Sequence, residues 1–156
     1  MKRSIRIFWG CMFALGFVIG SCEKDTDGGG ETVISHYNES KSHKAGQNCM
    51  ACHTSGGSGE GWFVTAGSVY DASKLNPYPN STLKIFTGPN GTGALVKTIE
   101  VDGKGNFFTT ESVNFGDGLY AFVSAPNGNV KHMNSKITNG QCNSCHGGSI
   151  DKIWID

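Results

Sequence analysis

The chain carries the pattern Cys-x-x-Cys-His twice, as Cys49-Met50-Ala51-Cys52-His53 and as Cys142-Asn143-Ser144-Cys145-His146. Two thiols at this spacing, followed at once by an imidazole, suit one chemistry above others: covalent attachment of a c-type haem. Each thiol adds to one porphyrin vinyl group, and the two intervening residues space the sulfurs to match the two vinyls. The adjacent histidine then reaches the iron from the same side as its proximal ligand. On this reading Cys49, Cys52, Cys142 and Cys145 hold two covalently bound c-type haems, and His53 and His146 ligate their iron.

Paired cysteines also serve other ends. Two Cys-x-x-Cys knuckles can enclose one tetrahedral zinc, and a single one can be a redox-active dithiol. Neither explains a histidine after the second cysteine in both copies, and knuckles so far apart fit a compact zinc ribbon poorly. Cysteine accounting agrees with haem. Of six cysteines, Cys11 lies in the N-terminal apolar stretch and Cys22 closes it, so the four motif cysteines are all that remain. None is left for a disulfide, even in an oxidising compartment.

Lys2, Arg3 and Arg6 precede an apolar run from Ile7 to Ile19 that is too short for a comfortable membrane span. Ile19-Gly20-Ser21-Cys22 then reads as a lipoprotein cleavage box, with small residues for the peptidase and Cys22 as the lipid carrier. The expected organisation is a signal peptide over 1–21, a flexible tether over 22–35, a first haem-binding segment over 36–61, a β-sandwich over 62–131 and a second haem-binding segment over 132–156. An uncleaved anchor helix is the alternative to cleavage. Either route exports the chain and ties it to a membrane, at the outer membrane, the cell surface or a periplasmic face. Glu23-Lys24-Asp25-Thr26-Asp27, ahead of three glycines, is similar to the surface-export tag of Bacteroidetes lipoproteins. An ordinary solvated tether has the same composition.

Beyond residue 21 the chain keeps ten basic and 13 acidic residues. It is mildly acidic and shows no basic stripe for nucleic acid. Its length suits one domain, and abundant glycine suits short strands and many turns.

Those strands are legible between the motifs. Trp62 to Tyr70 reads as a first strand, and the prolines of Asn76-Pro77-Tyr78-Pro79-Asn80 mark a loop. Leu83 to Thr87 and Leu95 to Val101 alternate in polarity. Asp102-Gly103-Lys104-Gly105-Asn106 is a turn into Asn106 to Thr110, Leu119 to Ser124 follows, and Asn127-Gly128 closes a hairpin into Asn129 to His132. Five to seven short strands without a helical period predict a mainly β fold, an Ig-like or transthyretin-like β-sandwich flanked by two short helical Cys-x-x-Cys-His segments.

Gly67-Ser68-Val69-Tyr70, Leu83-Lys84-Ile85 and Asp102-Gly103-Lys104-Gly105-Asn106-Phe107 carry a resemblance to the carboxypeptidase-regulatory, or transthyretin-like, sandwich. The whole arrangement resembles exported bacterial multihaem c-type cytochromes that flank such a sandwich with haem motifs. Those show a His-x-x-x-Gly-x-x-Cys stretch before the first motif, here His43 to Cys49 with one spacer fewer between His43 and Gly46. They also show a methionine before the second, here Met133. The sandwich alone implies no chemistry. Phe63, Phe107, Phe108, Tyr120 and Phe122 are expected as plain core, whereas Trp62, close to the first motif, is a candidate for porphyrin contact.

The sixth ligand decides what each haem does: a filled position favours electron transfer, and an open one admits small molecules. The resemblance points to His43 as a distal metal ligand, with Met133 as the second. His132 is the neighbour and rival of Met133, and since adjacent strand residues face opposite ways only one of them suits a given haem. His36 is expected to be free. Ten extended residues span about 33 Å, so His43 can reach the far side of His53, and crossed ligation between the sites stays open. The leading expectation is an electron carrier for redox partner proteins of the cell envelope, without catalytic residues. A dihaem enzyme with an open, peroxidase-like iron would have to recruit Glu39, Glu60 or Glu111 as acid–base group. A surface binding module with structural haems is the third possibility.

Overall fold

The computed structural model describes residues 32–156. The expected signal peptide, the lipid-bearing Cys22 and the tether through residue 31 lie outside them. The described chain is mainly β. Its strands are β1 (Thr65–Tyr70), β2 (Thr82–Phe86), β3 (Leu95–Glu100), β4 (Asn106–Thr109), β5 (Tyr120–Ser124), β6 (Val130–His132), β7 (Gly140–Gln141) and β8 (Ile153–Trp154). They form two sheets: β3-β2-β5-β6, and β4-β1 with β7 and β8 beside β1. No described helix is long and apolar enough to cross a membrane.

The β3-β2-β5-β6 sheet is antiparallel throughout and shows the alternation its sequence predicts. Leu83, Ile85, Ile99 and Val123 turn inward and are buried, while Lys84, Phe86 and Phe122 are half-exposed on the outer face. The inward residues meet Val69, Phe107 and Ile155 from the other sheet in one core, as in a β-sandwich. Burying side chains of this size contributes about 1.5–3 kcal/mol each.

β1 breaks the alternation, because all six of its residues are buried. Val69 faces the core. Ser68 and Tyr70 face the other way and are roofed by the chain around Gly46 and by the second motif. Gly67 tolerates no side chain, since a Cβ there would lie 2.9 Å from the Cβ of Cys142. On one edge β1 pairs antiparallel with β4; on the other, β7 and then β8 run parallel to it. The second motif is thus a loop that leaves this edge after Gln141 and returns at Ile153. Sheet pairing therefore continues past residue 131 into the C-terminal segment, through strands too short to read from sequence.

The chain before the first motif covers the free edge of β4, where Ser35 N–H donates to the Phe108 carbonyl at 3.0 Å and Thr110 N–H to the Val33 carbonyl at 2.8 Å. The buried Ser35 hydroxyl accepts from Phe108 N–H at 3.0 Å and donates to the Glu100 carbonyl at 2.5 Å, joining the two sheets. The expected strands form where sequence placed them, except that β1 starts at Thr65. Trp62 is left outside it and 55% exposed.

Candidate haem sites

Each motif is wound into a single helical turn. Around Cys49–Ala51 the turn is 3₁₀, and the N–H groups of Cys52 and His53 both donate to the Cys49 carbonyl, at 3.1 and 3.0 Å. Cys142–Cys145 is one α turn, and His146 N–H donates to the Cys142 carbonyl at 3.0 Å. All four motif cysteines are free thiols. Within each motif the first cysteine is partly covered and the second exposed. Burial raises the Cys49 thiol above its usual range, and pushes Cys142, packed against β1, up to about 12.

The two imidazoles are held alike. His53 Nδ1 lies 2.7 Å from the Glu60 carbonyl, and His146 Nδ1 lies 2.6 Å from the Asp151 carbonyl. A ring nitrogen facing a carbonyl carries the proton, so Nε2 is left in both rings as the free electron-pair donor. The first loop needs glycine to wrap its ring this closely: a Cβ on Gly59 would fall 2.7 Å from His53 Nδ1.

Each motif opens onto its own cleft. The first, of about 560 Å³, is lined by Cys49, Cys52, His53, His43, Phe63 and Phe108 among others. The second, of about 420 Å³, is lined by Cys142, Cys145, His146, Met133, Ile150 and Trp154 among others. Both are of the size that takes a cofactor, about 300–1,000 Å³.

His43 comes back to the first motif because the chain reverses right after it. Lys44 and Gly46 both take positive φ, +53° and +84°, and Gln47 N–H donates to the Lys44 carbonyl at 3.1 Å. The His43 and His53 ring centroids are 6.0 Å apart. Both imidazoles line the first cleft, close enough together that one metal centre bound there could be offered both. His36 lines the same cleft, but its Nδ1 turns to the Glu100 carboxylate at 3.5 Å.

Met133 and His132 both line the second cleft, but register turns their side chains to opposite faces. Phe122 pairs with His132 and Val123 with Lys131. Met133 N–H donates to the Ala121 carbonyl at 2.9 Å, which extends that register by one residue. Met133 therefore shares the inner face with Ala121 and Val123, beside the second motif. His132 lies on the outer face, its ring centroid 5.1 Å from that of Phe122.

Several aromatic expectations are corrected. Phe107 is fully buried core, but Phe63, Phe108, Tyr120 and Phe122 are only half-buried. Phe63 stacks on His53 at 4.2 Å and on Phe108 at 4.9 Å, so these two rings wall the first cleft. The signal was present in the dipeptide Phe107-Phe108, of which only one ring can face a core. Phe122 instead stacks on Phe86 at 5.3 Å, outside the sandwich. Trp62 lines neither cleft. Of the three candidate acids, Glu39 and Glu60 line the first cleft, while Glu111 is paired with Lys97.

A bare ion and a haem ask different things of a donor set. A tetrahedral zinc needs four converging ligands, and among the described residues no three of His, Cys, Asp or Glu are grouped to hold a metal ion. A haem brings its own four nitrogens and asks the chain only for axial ligands, thioether anchors and an apolar slot. Comparison with protein families, characterised proteins and solved structures finds no match to this chain.

Proposed function

We propose that the chain is a dihaem c-type cytochrome that relays electrons at the cell envelope or cell surface. On this reading it is an exported lipoprotein, tethered through Cys22 and folded as a transthyretin-like sandwich between two short helical haem-binding turns. The observation that carries the reading is the repeated imidazole geometry. In both Cys-x-x-Cys-His turns Nδ1 is held by a backbone carbonyl and Nε2 is free, beside a cleft lined by that motif's thiols.

Bound at the two clefts, haem supplies one-electron exchange between ferric and ferrous iron. The chain supplies the rest. Cys49 and Cys52 anchor one group, and Cys142 and Cys145 the other. His53 and His146 offer Nε2 as proximal ligands, and the carbonyls of Glu60 and Asp151 fix their tautomer and ring plane. His43 would be the chain's second ligand at the first site and Met133 at the second. Phe63 and Phe108 keep water from one side of the first cleft. With these residues as ligands the irons would be closed to small molecules, and the exposed Cys52 and Cys145 edges would face redox partner proteins.

The test is the optical spectrum of the reduced protein, matured in a host that attaches c-type haem, before and after carbon monoxide. Sharp c-type bands from two covalent haems, unmoved at the moment carbon monoxide is mixed in and shifting only as slowly as a protein ligand leaves the iron, are expected. An immediate shift on mixing would instead mark an open iron and move the reading to an enzyme, with Glu39 and Glu60 beside the first cleft as its acids. Absence of covalent haem sinks the proposal.

A further inference from the structure

Haem attachment asks nothing of the two residues between the cysteines except their spacing. Asn143 nonetheless stands out: it is 8% exposed, and its side chain is fully engaged outside its own motif. Its Oδ1 accepts from Ser68 N–H at 3.1 Å. Its Nδ2 donates to the Gln47 carbonyl at 2.9 Å and to Ser68 Oγ at 3.0 Å. Gln47 is two residues ahead of the first motif.

Ser68, in the middle of β1, is the hub. Its hydroxyl accepts from Asn143 and from Gly46 N–H at 2.8 Å, and donates to Asn106 Oδ1 at 2.6 Å. Asn106 Nδ2 in turn donates to Ser42 Oγ at 2.8 Å. Ser42 is the residue before His43, and Lys104 Nζ holds its carbonyl at 2.9 Å. The path runs from inside the second motif, through two strands of the sandwich, to the residue next to the first site's distal histidine. Each polar atom named in it has a partner. A satisfied buried network of this kind is rigid, and an unsatisfied member is costly.

We infer that Asn143, Ser68, Asn106 and Ser42 form a positioning network that sets His43 against His53 from within the second motif, so that the two haem sites are coupled through β1. This rests on the reading of the first site as a His53/His43 haem. Ser42 and Gly46 bracket the Lys44–Gly46 reversal, so the network holds both ends of the loop that carries His43. Coupling between sites is reciprocal, so closing the first site also steadies the second turn.

The experiment uses the mature dihaem protein and its Asn143→Ala and Ser42→Ala variants. One readout is the bis-histidine low-spin signal in electron paramagnetic resonance. The other is the rate at which carbon monoxide enters that haem after reduction, set by the fraction of time His43 is off the iron. Loss of one buried hydrogen bond is expected to raise that rate about tenfold in either variant, with the bis-histidine signal broadened or diminished. A purely local role for Asn143 predicts disturbance of the second haem alone. Rates within about twofold of wild type, with the signal intact, overturn the inference. If Asn143→Ala does not fold, Ser42→Ala decides alone, because it removes only the outermost link. A wild-type protein lacking the bis-histidine signal sinks the reading of the first site and the inference with it. A wild-type protein that shows the signal, beside variants that keep it, sinks the inference alone.

Discussion

The two Cys-x-x-Cys-His sites share a pentapeptide, a helical turn and a carbonyl behind the imidazole, but they are built on different supports. The first sits on a loop ahead of β1 and is walled by side chains from three segments: His43 across from His53, Phe63 stacked on that ring, and Phe108 behind it. The second is clamped between β7 and β8 on one edge of β1, with Cys142 and Asn143 packed into the sandwich. Charge differs as well. Lys41 and Lys44 at the first cleft are balanced by Glu39 and Glu60, whereas Lys131, Lys136 and Lys152 line the second against Asp151 alone. The same motif is thus loop-built and charge-balanced, with His43 across the cleft, in one place, and strand-anchored with a cationic rim, with Met133 in the cleft, in the other.

The largest expected effect of this difference is structural. Replacing Cys49 and Cys52 together by alanine should leave one covalent haem of two, seen as loss of one haem mass, with the sandwich intact. Replacing Cys142 and Cys145 should also remove one haem, but it strips the Cys142 sulfur from a packed position against β1. That variant is expected to lose about 1–2 kcal/mol more stability, read as a lower denaturation midpoint. Equal midpoints for the two variants would break the contrast between loop-built and strand-anchored sites.

Redox potentials sharpen it next. A methionine ligand raises the potential relative to histidine, and a cationic rim disfavours the oxidised, more positive centre. Redox titration should therefore resolve two steps, with the second site the higher. Met133→His is expected to draw the steps together and to abolish the near-infrared iron–sulfur band. Lys131→Gln or Lys136→Gln should each lower the upper step by about 20–40 mV, equivalent to about 0.5–1 kcal/mol of charge–charge energy at intermediate dielectric. The lower step should not move.

Most of the strand order is legible in the sequence. The strands follow from alternation and turn residues, and the Cys-x-x-Cys-His pairs from spacing alone. Three things were not. β7 and β8 are two residues each, below the length at which periodicity carries information, and they form because β1 offers a free edge. Phe63 and Phe108 looked like core because pattern distinguishes the two faces of a strand but does not say that both will be covered. Asn143 and Ser68 gave no signal, since a buried polar network is defined by partners distant in sequence. Asn143 and Gln47 are 96 residues apart.

Thiol reactivity distinguishes the sites before haem is attached. The thiolate is the reactive form. Burial holds the Cys142 thiol, near 12, almost wholly protonated at pH 8, and shifts Cys49 in the same direction. In the apoprotein, iodoacetamide should label the exposed Cys52 and Cys145 first, Cys49 later and Cys142 last. Cys142 labelling should keep climbing as pH rises toward 12, as followed by peptide mass spectrometry. Cys142 reacting as fast as Cys145 at pH 8 would show that the second turn is not seated on β1 in the apoprotein.

The smallest effect concerns the carbonyls behind the imidazoles. Asp151, whose carbonyl accepts from His146, has its carboxylate fixed by Lys74 Nζ at 2.6 Å, and that contact lowers its pKa. Glu60, which plays the same part for His53, has no salt-bridge partner among the described residues. A depressed carboxylate pKa means that the stabilising contact is complete above the ordinary carboxylate range of about 4 and is lost as pH falls through the lowered folded value. Below about pH 4, as pH falls through that lowered value, the second haem's potential should acquire a small pH dependence as Lys74 releases Asp151. Lys74→Ala should remove that dependence and leave a constant offset. The pair is solvent-exposed, so screening keeps the effect slight, and 1 M salt should shrink it further. The first haem supplies the internal control, because no equivalent ion pair stands behind His53. A matching drift in both potentials would place its origin in the haem propionates or the fold as a whole rather than in the Asp151 hold on His146.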